Sequence, residues 1–301
     1  MLRSIRMPLR VLRRASMPLV LLVLAVFGAA SASAAAGLEE ALARGDAAWM
    51  RRAEGSRGGR AAAAPIAAAV AAYEEALKAA PASLEAHWKL LRALWFQGDY
   101  VAGDAAAKQR VFGRGREVSD AAMAVLARRV GRERLAAERA AERAAALRAV
   151  PEAPPLLLWS AANWGLWGEA FGKLAAARQG VGSKVRDWAE TLVLLDERFE
   201  SGGGHRVLGR LHSEAPKVPL VTGWVDRDRA AAELEKAVAI APQDLANRLY
   251  LAEALLDHHP ARRARAVALL REVAAASPRP EQRVEDAALV AAAARRLEQE
   301  G

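Results

Sequence analysis

The chain has no cysteine. Disulfides, thiolate catalysis, zinc–thiolate sites and lipidation on an N-terminal cysteine are therefore excluded. Aromatic residues are scarce, at 5% of 301 residues, yet eight are Trp against three Tyr and five Phe. Strand formers are sparse. Alanine, leucine, arginine and glutamate, all strong helix formers, dominate and point to an all-α chain. Acid is missing from residues 1–34, which hold Arg3, Arg6, Arg10, Arg13 and Arg14. Setting those five aside leaves 39 of the 44 basic residues against 35 acidic ones, a surplus of four. That surplus calls for no nucleic-acid partner.

Catalytic signatures are missing as well. There is no His-Glu-x-x-His run, carboxylate cluster or glycine-flanked serine. Gly180-Val-Gly-Ser-Lys184 lacks the order of a phosphate loop and reads as an interhelical turn. His205 and His212 stand seven helical residues apart, about 10.5 Å, too far to share a metal. No enzyme activity, cofactor or metal is expected, and the five histidines read as structural or groove-lining.

The first 34 residues read as an address. A basic stretch from Met1 to Arg14 precedes apolar Leu19 to Phe27 (LVLLVLAVF) and then small residues with Ala-x-Ala steps at 30–32 and 32–34. This is the secretory pattern, with cleavage expected after Ala34. The alternative is an uncleaved anchor, since residues 15–37 carry no charge and are long enough to span a bilayer. Either way the expected location is the periplasm. The remainder, 35–301, is one domain.

Self-similarity organises that domain. AVAAYEEALKAAP and AAAELEKAVAIAP place Ala69, Tyr73, Ala76, Pro81 and Ala230, Leu234, Ala237, Pro242 at identical spacing. A third copy runs Ala266, Leu270, Val273, Pro278. Small residues four and seven apart let helices approach closely, and the proline stops the second helix. This is the second half of a tetratricopeptide repeat. Its first half lies upstream in each case, and in GGGHRVLGRLH it reads His205, Leu208-Gly209, His212, with the triple glycine as a helix-start hinge. The fold expected is a tetratricopeptide-like helical-hairpin solenoid of five pairs: 38–54 with 62–80, 83–97 with 101–127, 153–178 with 181–199, 203–213 with 226–241, and 245–257 with 261–276. A capping helix at 281–299 follows. A charged helix at 131–150 is inserted, read as a solvated face or, alternatively, a protruding docking helix. Residues 213–225 form a surface loop.

In the repeat template, slots 5, 9 and 12 of each first helix share one face. They hold Trp88, Arg92, Trp95; Ser160, Trp164, Trp167; Arg206, Arg210, Ser213; and Leu249, Glu253, Leu256. Trp and Arg are common binding anchors, and arginine clamps carboxylates. A partner groove and ordinary helix packing both remain open for these tryptophans.

With these residues in view, the chain resembles the T-component family of TRAP transporters, which are periplasmic helical-repeat proteins. The resemblance covers most of residues 38–276. It rests on ALARGDAAWMRRA, LLLWSAANWGLWG, HRVLGRLHSEAP with its following loop, and RAAAELEKAVAIAPQDLANRLYLAEALL. It implies association with a periplasmic solute-binding protein or another envelope protein, an apolar or carboxylate-bearing ligand, and a homotrimer. The implied lining is Trp159, Asn163, Trp167, His205, Arg206, Asn247 and Arg248. Members are often lipoproteins, which a cysteine-free chain is not. A general periplasmic scaffold for peptide or protein docking is the alternative.

Overall fold

The structure, a computed structural model, describes residues 35–217 and 222–300. The export-signal expectation falls on residues outside that range. Helix boundaries follow local chemistry. Ser83, Asp104, Asp226 and Asp244 each accept a backbone N–H of the first turn of the helix they precede. Gly131 and Gly172, with φ of 96° and 91°, end two long helices in backbone that side chains rarely adopt.

The helices are α1 (35–50), α2 (Ala63–Ala79), α3 (Leu84–Tyr100), α4 (Ala105–Val130), α5 (Arg132–Leu135), α6 (Ala140–Leu147), α7 (Ala153–Phe171) and α8 (Lys173–Arg178). They continue with α9 (Val181–Leu195), α10 (Phe199–Glu214), α11 (Arg227–Ile240), α12 (Leu245–His258), α13 (Arg263–Ala274) and α14 (Arg283–Glu300). No strand occurs among the described residues. Five hairpins, α1–α2, α3–α4, α7–α9, α10–α11 and α12–α13, stack in chain order as an all-α helical-repeat solenoid, with α14 against the last; Tyr73 of α2 packs on Gly45 of α1 and donates to Asp46. Successive first helices pack on one another: α3 on α7, α7 on α10, α10 on α12 and α12 on α14. None of the described helices is long and apolar enough to cross a membrane.

Three elements differ from the sequence expectation. The long first helix of the third pair breaks at Gly172, so 153–178 is α7 plus α8. The stretch 131–150 is two short helices rather than one. Arg143 explains the break: it is buried, and its guanidinium donates to the Ala137 and Glu138 carbonyls at 2.6 and 2.8 Å, which therefore stay out of a helix. The insertion is also not wholly solvated, since Ala144, Leu147 and Val150 are buried and α6 packs on α9. Finally, α3 runs on to Tyr100 instead of turning at Gln97. Phe112 packs so closely on Gly98 that a Cβ there has no room, so glycine serves packing, not a turn.

The C-terminal helix does more than cap. Val284 of α14 belongs to the same buried cluster as Ala41, Leu42 and Trp49 of α1. Arg52 Nε donates to Glu285 Oε1 at 2.9 Å in a buried pair, and its Nη2 reaches the Glu281 carbonyl. Arg283 Nη2 donates to the Ala53 carbonyl at 2.7 Å. Gly59 lies so near the Ala288 backbone that a Cβ would sit 2.6 Å from its Cα. The two ends of the solenoid meet, and its concave side becomes the inside of a ring.

Candidate functional site

The inner wall of the ring is built by the first helices. Asp99 from the end of α3, Arg206 from α10, Tyr250 from α12 and Glu285 from α14 all act electrostatically on the phenol of Tyr100, also at the end of α3. Each of Trp95, Asp99, Tyr100, Arg206, Arg210, Tyr250 and Glu253 is half-buried: crowded by protein, yet in touch with solvent. Trp95 packs edge-on against Tyr100 at 5.5 Å and tilted against Trp159 at 5.0 Å. A small recess opens further along, lined by Arg210, Ser213, Glu214, Leu234, Tyr250, Glu253, Asp257 and Arg296.

Charge in this wall is matched. Arg210 lies over Tyr250, its Cζ 4.1 Å from the ring centroid, and pairs with Glu214. Burial opposes its charge, but Tyr250, Glu214, Glu169 and Glu253 outweigh burial and raise its pKa. Burial pushes Glu214 and Glu253 up, with Arg210 pulling both back. Asp99 is pushed up to about 6, first by burial, with Lys108 and Arg210 opposing and Glu169 adding to it.

The opening of α10 is where GGGHRVLGRLH shows its purpose. Glu200, Ser201 and Gly202 turn left-handed, with φ of 47°, 59° and 79°. For Glu and Ser that conformation costs roughly 1–2 kcal/mol each. Two residues hold it. Arg206 Nη2 donates to the Glu200 carbonyl at 3.1 Å, and Asn247 Nδ2 donates to the Ser201 carbonyl at 2.9 Å. Asn247, which is 0% exposed, also donates to the Ala237 carbonyl at 2.9 Å and accepts from Arg206 Nη1 at 2.8 Å. The turn lets α10 settle between three neighbours. Gly203 faces Leu158 of α7, Gly204 faces Val193 of α9, and Gly209 leaves no room for a Cβ beside Leu234 of α11. Gly202 thus supplies the left-handed turn expected of a helix-start hinge, while Gly203 and Gly204 serve close packing.

The other residues singled out from sequence fall into separate groups. His205 Nδ1 lies 2.6 Å from Glu233 Oε2, buried. Burial raises the Glu233 carboxyl, but His205 and Lys236 outweigh it and hold the group below its ordinary range. His212 accepts the Asp226 N–H at Nδ1, 3.1 Å away, and packs edge-on against Trp224. Its pKa is lowered, mainly by burial and also by Arg229. His87, His258 and His259 lie 2.7, 2.9 and 3.1 Å from the carbonyls of Ser83, Ser213 and Arg227. Asn163 is buried and donates to the Leu91 and Trp159 carbonyls at 2.9 and 2.8 Å. Arg248 pairs with Glu272 at 3.6 Å. Among the described residues no group of three or more His, Asp or Glu side chains is placed to hold a metal ion.

Trp164 and Trp167 are brought together, 5.6 Å apart, but away from the recess. They fill a seam with Phe112 of α4 and Val181 and Val185 of α9. The groove pattern therefore divides in two. Trp95 and Trp159 stand near Tyr100, Arg206 and Arg210 on the inner wall, while Trp164 and Trp167 pack toward the second helices. Asp99, Tyr100 and Tyr250 were not singled out from sequence. The expected pairing of 83–97 with 101–127 leaves Asp99 and Tyr100 between helices, and Tyr250 stands one residue beyond the groove slot of Leu249.

Comparison with protein-family models and with curated proteins finds no match to this chain.

Proposed function

We propose that this is a non-enzymatic, periplasmic accessory component of a TRAP-type solute uptake system. In this reading it docks a solute-binding protein and holds a small organic ligand on the inner wall of the ring. The observation that carries the reading is the meeting of the two ends through Arg52–Glu285, which surrounds Trp95, Tyr100, Arg206, Arg210 and Tyr250 with protein. An aromatic and arginine wall in a concave site suits an organic molecule with an anionic group. The resemblance of HRVLGRLHSEAP and the Pro242-x4-Asn247-Arg248 run supports the same assignment.

Native mass spectrometry of the full chain, gently purified from a cell envelope, tests this. A homotrimer, a co-purifying organic acid, or a complex with an added TRAP solute-binding protein is the expected result. A bare monomer that ignores such a receptor overturns it.

One observation favours the second reading, a scaffold that docks extended peptides. The recess beside Arg210 is small and charged, better matched to peptide side chains than to an apolar solute. A crosslinked peptide mapping to Tyr250 and Glu253 would decide for it.

A further inference from the structure

Several cations in this protein lie over aromatic rings, and most have a carboxylate beside them. Arg52 over Trp49 has Glu285, Lys89 near Trp88 has Asp46 and Glu85, Arg186 over Trp224 has Asp187, and Arg210 over Tyr250 has Glu214. Arg92, over Trp49 and Trp88, has the Tyr73 hydroxyl beside it. Arg116 and Lys184 are different. Lys184 Nζ is 3.6 Å from the Trp164 ring centroid, and Arg116 Cζ is 5.8 Å from Trp164 and 5.2 Å from Trp167. Two cations thus share one indole, and neither makes an ion pair with any described residue. Burial lowers the Lys184 pKa; the Asp120 charge opposes this, and the Arg116 charge adds to it.

Unused donors collect at the same place. Arg116 Nε and Trp164 Nε1 are buried and have no acceptor, and Trp164 is only 1% exposed. A buried donor without a partner costs roughly 1–3 kcal/mol. Acid close by is engaged or out of pairing range: residues 105–116 and 170–186 hold eight Lys and Arg and no Asp or Glu, while of the flanking acids Glu117 pairs with Arg114, Asp187 pairs with Arg186, and Asp120 acts on Lys184 without forming an ion pair. These stretches meet in space, since Gln109 Nε2 donates to the Ala170 carbonyl at 2.9 Å. Beside them Phe171, 41% exposed, stacks on Trp167 at 4.8 Å, and Leu174 is 66% exposed.

We infer that the seam between α4, α7 and α9 is a second binding site, for the carboxylate of a small organic acid with an apolar or aromatic body. Arg116 and Lys184 take the carboxylate, and Phe171 and Trp167 cover the body. A planar guanidinium and an ammonium suit a flat carboxylate, and the neighbouring ring faces suit an organic rather than inorganic anion. The site lies away from the inner wall and does not rest on the uptake reading.

Calorimetric titration of the full chain with benzoate, phosphate and N-acetylglutamate amide tests this. The last stands for a carboxylate on a docking protein. Benzoate is expected to bind saturably at one site. Lys184→Met and Arg116→Gln are each expected to weaken it at least about tenfold, and the double variant to abolish it. Both residues are half-buried, and melting curves confirm that the variants are folded. In ¹H–¹⁵N spectra one indole N–H resonance is expected to move with benzoate in the wild type and to stay still in the double variant. Absence of saturable benzoate binding, or binding unchanged in the double variant, overturns the site. Phosphate binding as tightly as benzoate overturns the carboxylate assignment. Tighter binding of N-acetylglutamate amide overturns the free ligand in favour of a docking protein.

Discussion

The inner wall and the α4–α7–α9 seam use the same materials to opposite effect. Both set cations on aromatic rings. On the wall, Arg210 sits on Tyr250 amid Glu214, Glu169 and Glu253, and Arg206 is spent on the Glu200 carbonyl and Asn247. In the seam, Arg116 and Lys184 sit on Trp164 with no acid in pairing range. Cations matched by their own chain hold the wall in place, and an anionic ligand there must compete with the groups they already hold. Cations unmatched by their own chain are available to something else. An arginine-and-tryptophan inventory does not separate the two cases; the location of the carboxylates does.

Substitutions sharpen this contrast. Asn247→Ala is expected to have the largest effect. It removes two buried donations and the acceptor of Arg206, and it frees the left-handed turn. A loss of about 3 kcal/mol in urea unfolding is expected. A loss near that of an exposed residue would mean the turn holds itself.

Asp99→Asn comes next, with the opposite sign. The carboxyl titrates near 6 in the folded protein and near 3.8 when unfolded. A raised pKa contributes stability below the unfolded value, and that contribution is lost as pH rises through the folded value. At pH 7 the ionised carboxylate is therefore a cost, and Asn removes it while keeping an acceptor for the Trp95 indole. A gain of about 1 kcal/mol at pH 7 and none near pH 4 is expected in paired melts. A loss at pH 7 would mean Arg210 depends on the Asp99 charge.

Lys184→Met should cost least, about 0.5 kcal/mol or less, because only a half-exposed cation–π contact is lost and one repulsion is relieved. A cost as large as that of Asn247→Ala would make Lys184 structural and erase the contrast.

Much of the architecture was legible because it rests on local pattern. The spacing Ala230, Leu234, Ala237, Pro242 sets small residues where helices cross, and those residues are buried apart from the proline that ends the helix. Leu208-Gly209 read as a repeat signature, and Gly209 is indeed pressed against Leu234. What was not legible depends on partners distant in sequence. Nothing near Gly98 announces that Phe112 will keep it helical. Nothing near Arg52 announces Glu285. The facing of Trp164 and Trp167 was ambiguous because α7 is apolar nearly all round, so period alone gives it no preferred side. The pairing of Arg116 with Lys184 is hidden in the sequence for a related reason. Their meaning lies in acids that are missing from two stretches about sixty residues apart, and only the fold brings those stretches together.

The ring itself is the claim on which the inner wall depends, and a double-mutant cycle on Arg52 and Glu285 tests it most directly. The two residues are 233 positions apart in sequence and 2.9 Å apart in space. Arg52→Met, Glu285→Met and the double variant are compared by urea unfolding of the full chain. Each single variant should cost about 3 kcal/mol by leaving a buried charge alone, and the double should cost much less than the sum, with a coupling of at least about 1.5 kcal/mol. Additive effects would mean that the two ends of the solenoid do not meet in solution, and that the inner wall is an open groove.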